Sequence, residues 1–326
     1  MVSKRYLAIE ERLKARDPGA AAEMLALAEA GDADALFKAA EFRLRGTGMP
    51  VDLDAAYALM AKAASRGHPE AQRAQAYFMA AGIGTKPDAA KARAMLEKLA
   101  EKDRFVAVQL AFLAHVQCRN RVKSAPRRLV SADPHIEVVQ GLFSPEECRY
   151  VQLLANPWME PAMIYAADGS GIRDPHRDSD NMVVTPMAED LVVQQVNCCI
   201  AEATGTPVNW GEPLHVLRYR PGQQYRPHHD AHSGVPVERR RIATALLYLN
   251  DGYEGGETHF PELGIRVRGA VGDLLIFRNL DGKGGPDPRM THAGLPILRG
   301  EKWLATRWIR GSDYFGRAGS SKLASP

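Results

Sequence analysis

Cysteine is scarce in this chain of 326 residues: Cys118, Cys148, Cys198 and Cys199 form no Cys-x-x-Cys pair. A disulfide framework needs a denser pattern and an oxidising compartment, so reduced, buried thiols and a cytoplasmic location are expected. Long apolar runs are also missing. The best, residues 242–249, is flanked by Arg241 and Asn250 and is too short to span a bilayer as a helix, so no membrane partner is expected. The opening residues run from Lys4-Arg5 to Glu10-Glu11-Arg12 without an apolar stretch, so no secretory leader is expected. Neither sign of charge dominates: 42 basic and 39 acidic residues leave +3, too little to point to nucleic acid. With 45% hydrophobic and 25% charged residues, the composition excludes a disordered or collagen-like chain, and the length suggests two domains.

Helix formers are abundant over residues 20–118, where a pattern recurs every 36 residues. Gly31-Asp32-Ala33-Asp34-Ala35 returns as Gly67-His68-Pro69-Glu70-Ala71, and Gly46-Thr47-Gly48 as Gly82-Ile83-Gly84. Asp52 returns as Asp88, Ala56 as Ala92, Met60 as Leu96 and Ala64 as Ala100. A fixed period of this length predicts stacked helix pairs, none of which buries its apolar face alone. The segment resembles the Sel-like subfamily of tetratricopeptide-type repeats. That resemblance implies a surface for a protein or peptide, or a cap on the second domain.

Arg119, Arg121, Lys123, Arg127 and Arg128 precede the next acid, Asp133, and read as a solvated basic linker. Beyond it, short β-branched and apolar runs alternate with Gly, Pro and Asp: Ile136–Val139, Leu214–Tyr219, 242–249, Ile265–Val267, 274–277, 295–298 and 303–309. These predict an antiparallel sandwich or barrel. Helices are expected from Ser144-Pro145-Glu146-Glu147, where Ser is an N-cap, and over residues 188–203. The expected organisation is an α+β multidomain chain. It comprises an all-α repeat domain (1–118), a linker (119–134), a strand-rich domain (135–315) and a flexible tail (316–326).

The densest chemistry lies in Tyr225-Arg226-Pro227-His228-His229-Asp230-Ala231-His232. On an extended chain His228 and Asp230 share a face and His229 points away. One imidazole and one carboxylate are two members of the two-His, one-carboxylate set of non-haem Fe(II). His232 lies ~13 Å along a strand from His228, too far to share an ion unless the chain turns. The distant candidate is His292, followed ten residues later by Lys302 across a Gly300 turn. Lys302, beside Trp303 and Leu304, reads as buried, and a buried ammonium needs an anion. Fe(II) with one carboxylate and two neutral imidazoles carries a net single positive charge. A chelating dianion together with Lys302 brings the site to neutrality.

Five ordered blocks resemble the prolyl 4-hydroxylase family of Fe(II)- and 2-oxoglutarate-dependent dioxygenases. They are Tyr219-x-x-Gly222-Gln223-x-Tyr225-x-x-His228-x-Asp230, Arg241-x-x-Thr244-x-Leu246-x-Tyr248-Leu249-Asn250, Gly255-Gly256-Glu257-Thr258-x-Phe260-Pro261, Gly272-Asp273, and His292-Ala293-Gly294-x-Pro296-x-x-x-Gly300-x-Lys302-Trp303. Phe143-Ser144-x-Glu146-Glu147-Cys148 and Arg177-x-Ser179 extend the resemblance over residues 135–310. It implies a double-stranded β-helix (jelly roll) with flanking helices. His228, Asp230 and His292 would be the iron ligands, Lys302 would hold the far carboxylate of 2-oxoglutarate, and Tyr219 and Thr258 would line that pocket. Tyr225, Arg241 and Trp308 would contact a protein or peptide substrate. The implied chemistry is C–H hydroxylation, prolyl 4-hydroxylation first, using Fe(II), 2-oxoglutarate and O2, with succinate and CO2 as co-products and ascorbate as reductant. Other readings are the same chemistry on another peptidyl residue or a small molecule, an inactive repeat-based binding module, and a zinc hydrolase. The loop 281–289 before His292 reads as a lid or substrate strap.

Overall fold

The computed structural model describes residues 4–14, 17–114, 116, 119–165, 171–173 and 176–315. The expected tail, 316–326, lies outside them. The chain divides into two compact units: Met1–Val116 with Tyr165–Gly171 and Thr185–Gln194, and Gln117–Ile164 with Ile172–Val184 and Gln195–Pro326.

In the first unit, helices Pro18–Glu29, Ala33–Arg45, Leu53–Ser65, Pro69–Ala81, Ala89–Ala100 and Arg104–Leu113 follow one another in contact. The repeat is visible in the caps. Asp32, Asp52, His68 and Asp88 each accept a backbone N–H three residues on, which satisfies donors that a helix start leaves open. Gly46 and Gly82 close equivalent helices in the left-handed region, at φ 73° and 69°, which a side chain would disfavour. Ala35, Ala39, Ala63, Ala71 and Ala74 are buried, so neighbouring helices approach closely. Asp190 is fully buried in this unit. It accepts from the N–H groups of Val192 and Val193 and from Gln109, whose carbonyl oxygen accepts from Tyr77.

The second unit holds an eight-stranded sheet in the order Arg127–Ser131, Ile136–Val139, Leu274–Arg278, Arg241–Tyr248, Lys302–Arg310, Leu214–Tyr219, Asp180–Val184, Glu160–Pro161. A four-stranded sheet runs Ile265–Val267, Thr258–Phe260, His292–Gly294, Tyr225–His228. One core joins both sheets: Leu217, Leu246, Tyr248, Leu275 and Leu304 from the larger pack with Phe260 and Val267 from the smaller. This is the jelly roll expected. Helix Pro145–Ala155 begins at a capping box in which Ser144 and Glu147 exchange side-chain-to-backbone bonds, as the Ser-Pro-Glu-Glu run indicates.

Residues 119–134 are not a linker. They form helix Arg119–Ser124 and the edge strand Arg127–Ser131, paired antiparallel with Ile136–Val139. Two of the basic side chains meet acids further along the chain: Arg121 binds both oxygens of Glu147, and Arg127 binds Glu137. Nor do all the cysteines fit the expectation of reduced thiols. Buried Cys148 and exposed Cys198 lie outside any disulfide, whereas Cys199 is disulfide-bonded. No helix among the described residues is long and apolar enough to cross a membrane.

Candidate metal and co-substrate site

His228 ends one strand of the smaller sheet and His292 begins its neighbour, and the two are paired in register. Their rings lie 4.3 Å apart. Asp230 follows two residues after His228, buried, with its Oδ1 3.8 Å from His228 Nε2 and its Oδ2 3.5 Å from His292 Nε2. The ligand atoms of His228, Asp230 and His292 all lie within 4.8 Å of one another, a separation that one ion spans after small rotations. His232, the nearby alternative, is exposed and stands outside this group.

The second nitrogen of each imidazole explains why the first is available. His228 Nδ1 lies 2.8 Å from the Arg226 carbonyl and His292 Nδ1 3.0 Å from the Met290 carbonyl. A carbonyl only accepts, so Nδ1 carries the proton and Nε2 keeps its lone pair for a metal. Burial, reinforced by His292, pushes the His228 imidazole down, which keeps it neutral. Burial alone would raise the Asp230 carboxyl. His292, His228, Arg241 and a hydrogen bond from Thr244 outweigh it and hold the group below its ordinary value. Two neutral nitrogens and one carboxylate on one side of an ion, with the rest open, form the donor set of a non-haem Fe(II) centre.

One cavity of the second unit is lined by these three residues together with Tyr219, Thr258 and Lys302. Lys302 stands opposite Tyr219 across adjacent strands and is 3% exposed. Its ammonium donates to the Gly256 carbonyl at 2.6 Å. Among the described residues no carboxylate forms an ion pair with it. Burial pushes its pKa down to about 8, against the attraction of Glu257. Tyr219 is buried with its hydroxyl pushed up by desolvation, and the Thr258 hydroxyl lies 3.1 Å from that of Tyr248. The cavity therefore offers a metal set and an uncompensated cation to a dianion that binds both.

The three residues expected to meet substrate fare differently. Tyr225 and Trp308 line the same cavity, and the Tyr225 ring stacks on His228 at 3.6 Å. Arg241 does not line it. Its guanidinium is bound by both oxygens of buried Glu212 and lies over the Trp308 ring, 3.9 Å from its centre. The Arg241 charge, expected to meet substrate, is thus engaged within the fold by Glu212 and Trp308. Nor is 281–289 a free strap: Arg240 donates to the Gly284, Val235 and Ser233 carbonyls, and Arg289 bridges Asp287 and Asp133. Sequence reasoning gave no role to Arg177, which lines the cavity with its guanidinium over the Tyr225 ring. It also missed Glu212. Arg177 carried a signal in the Arg-x-Ser pattern; Glu212 carried none.

Comparison with known proteins bears on this geometry. Residues 214–310 match the 2OG-Fe(II) oxygenase superfamily, and 33–68 and 69–103 each match the Sel1 repeat. Prolyl 4-hydroxylase 1 of Arabidopsis thaliana is 35% identical over 208 residues, covering 58% of this chain and 74% of that protein. Probable prolyl 4-hydroxylase 10 of the same plant is 31% identical, covering 57% and 72% respectively. The solved viral collagen prolyl hydroxylase of Paramecium Bursaria Chlorella virus-1, in its 2OG complex, is 27% identical with a TM-score of 0.44, over 54% of this chain and 95% of that one. The family's enzymes use Fe(II), 2-oxoglutarate and O2, and the group of half-buried His228 with buried Asp230 and His292 suits that metal. By its similarity to these relatives, the chain belongs to the prolyl 4-hydroxylase family of 2-oxoglutarate- and Fe(II)-dependent dioxygenases, with Sel1 repeats in its N-terminal third.

Proposed function

We propose that this enzyme hydroxylates C4 of a prolyl residue in a protein or peptide, converting 2-oxoglutarate to succinate and CO2, with ascorbate as reductant. The observation that carries the reading is Lys302, a buried cation without a carboxylate partner among the described residues, opening into the cavity that holds His228, Asp230 and His292. His228, Asp230 and His292 would hold Fe(II), which would supply O2 activation. Lys302 binds the far carboxylate of 2-oxoglutarate, and Tyr219 and Thr258 shape that end of the cavity. Apolar Leu217, Leu246 and Leu304, which also line it, exclude water from the reacting centre. Tyr225 and Trp308 receive the substrate peptide, and Arg241 sets the plane of the Trp308 ring.

The prolyl assignment draws on the activities named for the plant relatives. The repeats, in this reading, hold the protein substrate. Stacked helix pairs present extended surfaces, and a tethered second site raises effective concentration without new chemistry. The test is 2-oxoglutarate turnover against a panel of proline-containing peptides, read with the mass of the product. The reading predicts a gain of one oxygen on proline, coupled to succinate. Coupled oxidation of a different residue, or of a small molecule alone, would refute the prolyl assignment and leave the dioxygenase chemistry intact.

A further inference from the structure

We infer that Thr244 and Asn279 are positioning residues that set the Asp230 carboxylate for the metal before any ion arrives. This rests on the reading of His228, Asp230 and His292 as the iron set. Asp230 lies just beyond a strand of the smaller sheet, where the chain no longer has ladder bonds to fix it. Its side chain is held instead from the facing sheet. Thr244, fully buried in strand Arg241–Tyr248, donates its hydroxyl proton to Asp230 Oδ2 at 2.6 Å. Asn279, also buried, follows the adjacent strand Leu274–Arg278 and donates its side-chain amide to Thr244 Oγ1 at 2.9 Å.

The direction of the chain is set by the inventory of donors. A hydroxyl has one proton and two lone pairs, and an amide NH2 only donates. Once Asn279 occupies a lone pair of Thr244, the hydroxyl proton is left for the carboxylate. Asn279 is itself fixed on both sides: its backbone N–H donates to the Ile242 carbonyl and its carbonyl accepts from Asp287, each at 3.0 Å. Two buried side chains on neighbouring strands therefore lock the rotamer of a third residue across the interior. Such outer contacts orient ligands, and their loss typically weakens metal binding by ~10–100-fold. Valine has the shape of threonine and no hydroxyl, so Thr244→Val removes the bond at nearly constant volume.

The experiment is anaerobic titration of the full chain with Mn(II) alone, following free Mn(II) by electron paramagnetic resonance, with no co-substrate and no turnover. Thermal melting of each metal-free variant serves as the fold control. Thr244→Val should bind Mn(II) about 10–100-fold more weakly than the wild type. Thr244→Ser, which keeps the hydroxyl, should stay within about threefold. Asn279→Ala should weaken binding in the same direction as Thr244→Val. If Thr244→Val does not fold, the other two variants decide. Folded Thr244→Val or Asn279→Ala with unchanged Mn(II) affinity overturns the inference, and so does Thr244→Ser as weak as Asp230→Ala. Asp230→Ala separates the two levels: if it binds Mn(II) like the wild type, the metal-site reading fails and the inference falls with it. If it loses the ion while Thr244→Val keeps it, only the inference fails.

Discussion

Arg241 grips Glu212 at two points, Nε to Oε1 at 2.7 Å and Nη2 to Oε2 at 2.9 Å, and Arg310 Nε reaches the same Oε1 at 2.9 Å. One buried carboxylate thus holds two guanidinium groups, and the first lies flat over Trp308. Removing the carboxylate leaves two partly buried cations without their shared anion. Glu212→Ala should cost about 3–5 kcal/mol in urea unfolding. Under conditions where the variant stays folded, it should raise the peptide KM while leaving 2-oxoglutarate affinity near that of the wild type. An unchanged unfolding midpoint would show that the clamp is idle.

In the proposed function Lys302 binds the far carboxylate of 2-oxoglutarate. Truncating one partner of a buried charge pair costs about 2–5 kcal/mol, so Lys302→Ala should raise the 2-oxoglutarate Kd at least tenfold. Lys302→Arg should also bind poorly, because a planar fork replaces a point charge in a closed site. Calorimetry with 2-oxoglutarate measures both, and wild-type affinity in Lys302→Ala would remove the lysine from this role.

Its pH dependence has a definite sign. In the fold the Lys302 ammonium titrates at about 8, below its ordinary 10.5. As pH rises from about 8 to about 10.5 the folded chain has released a proton that the unfolded chain still binds, so stability increases over that window, by roughly 3 kcal/mol. Below about 8 both states hold the proton and the penalty is constant. Comparing urea unfolding of the wild type and Lys302→Met from pH 7 to pH 10 isolates the effect: the gain should be present in the first and absent in the second. With Lys302 in the proposed role, 2-oxoglutarate binding should weaken about tenfold per pH unit above about 8.

Much of the site is legible in the chain because its parts are local. His228 and Asp230 lie two residues apart, and the interval from His292 to Lys302 contains a turn at Gly300 with φ 77°. The repeat period is readable because each helix start needs its own cap, so Asp32 and His68, like Asp52 and Asp88, stand one 36-residue period apart. The parts that escaped are those whose partners are distant. Arg127 belongs to an edge strand with exposed side chains, which shows no alternation and so reads as a solvated basic stretch. The role of Arg241 depends on Glu212, 29 residues away on another segment. The pairing of strand Tyr225–His228 with His292–Gly294 joins segments more than 60 residues apart, which no local pattern shows.

Asp190 offers a test of the repeat unit. It is fully buried, caps the turn before Val192 and Val193, and accepts from Gln109 at 3.0 Å. Asp190→Ala removes the cap and leaves the Gln109 amide short of an acceptor, at a cost of about 1–3 kcal/mol. Asp190→Asn, which keeps an acceptor oxygen, should lose less. Chemical denaturation distinguishes them, and equal stability of Asp190→Ala and the wild type would contradict the network.

Anaerobic titration of the chain with Fe(II) and 2-oxoglutarate, followed by visible absorption, tests the His228–Asp230–His292 site most directly. One iron per chain and a weak metal-to-ligand charge-transfer band that needs both components are expected. The band should survive in His232→Ala and disappear in His228→Ala and His292→Ala. No band in the wild type, or a band that persists without His228 or His292, would contradict that site.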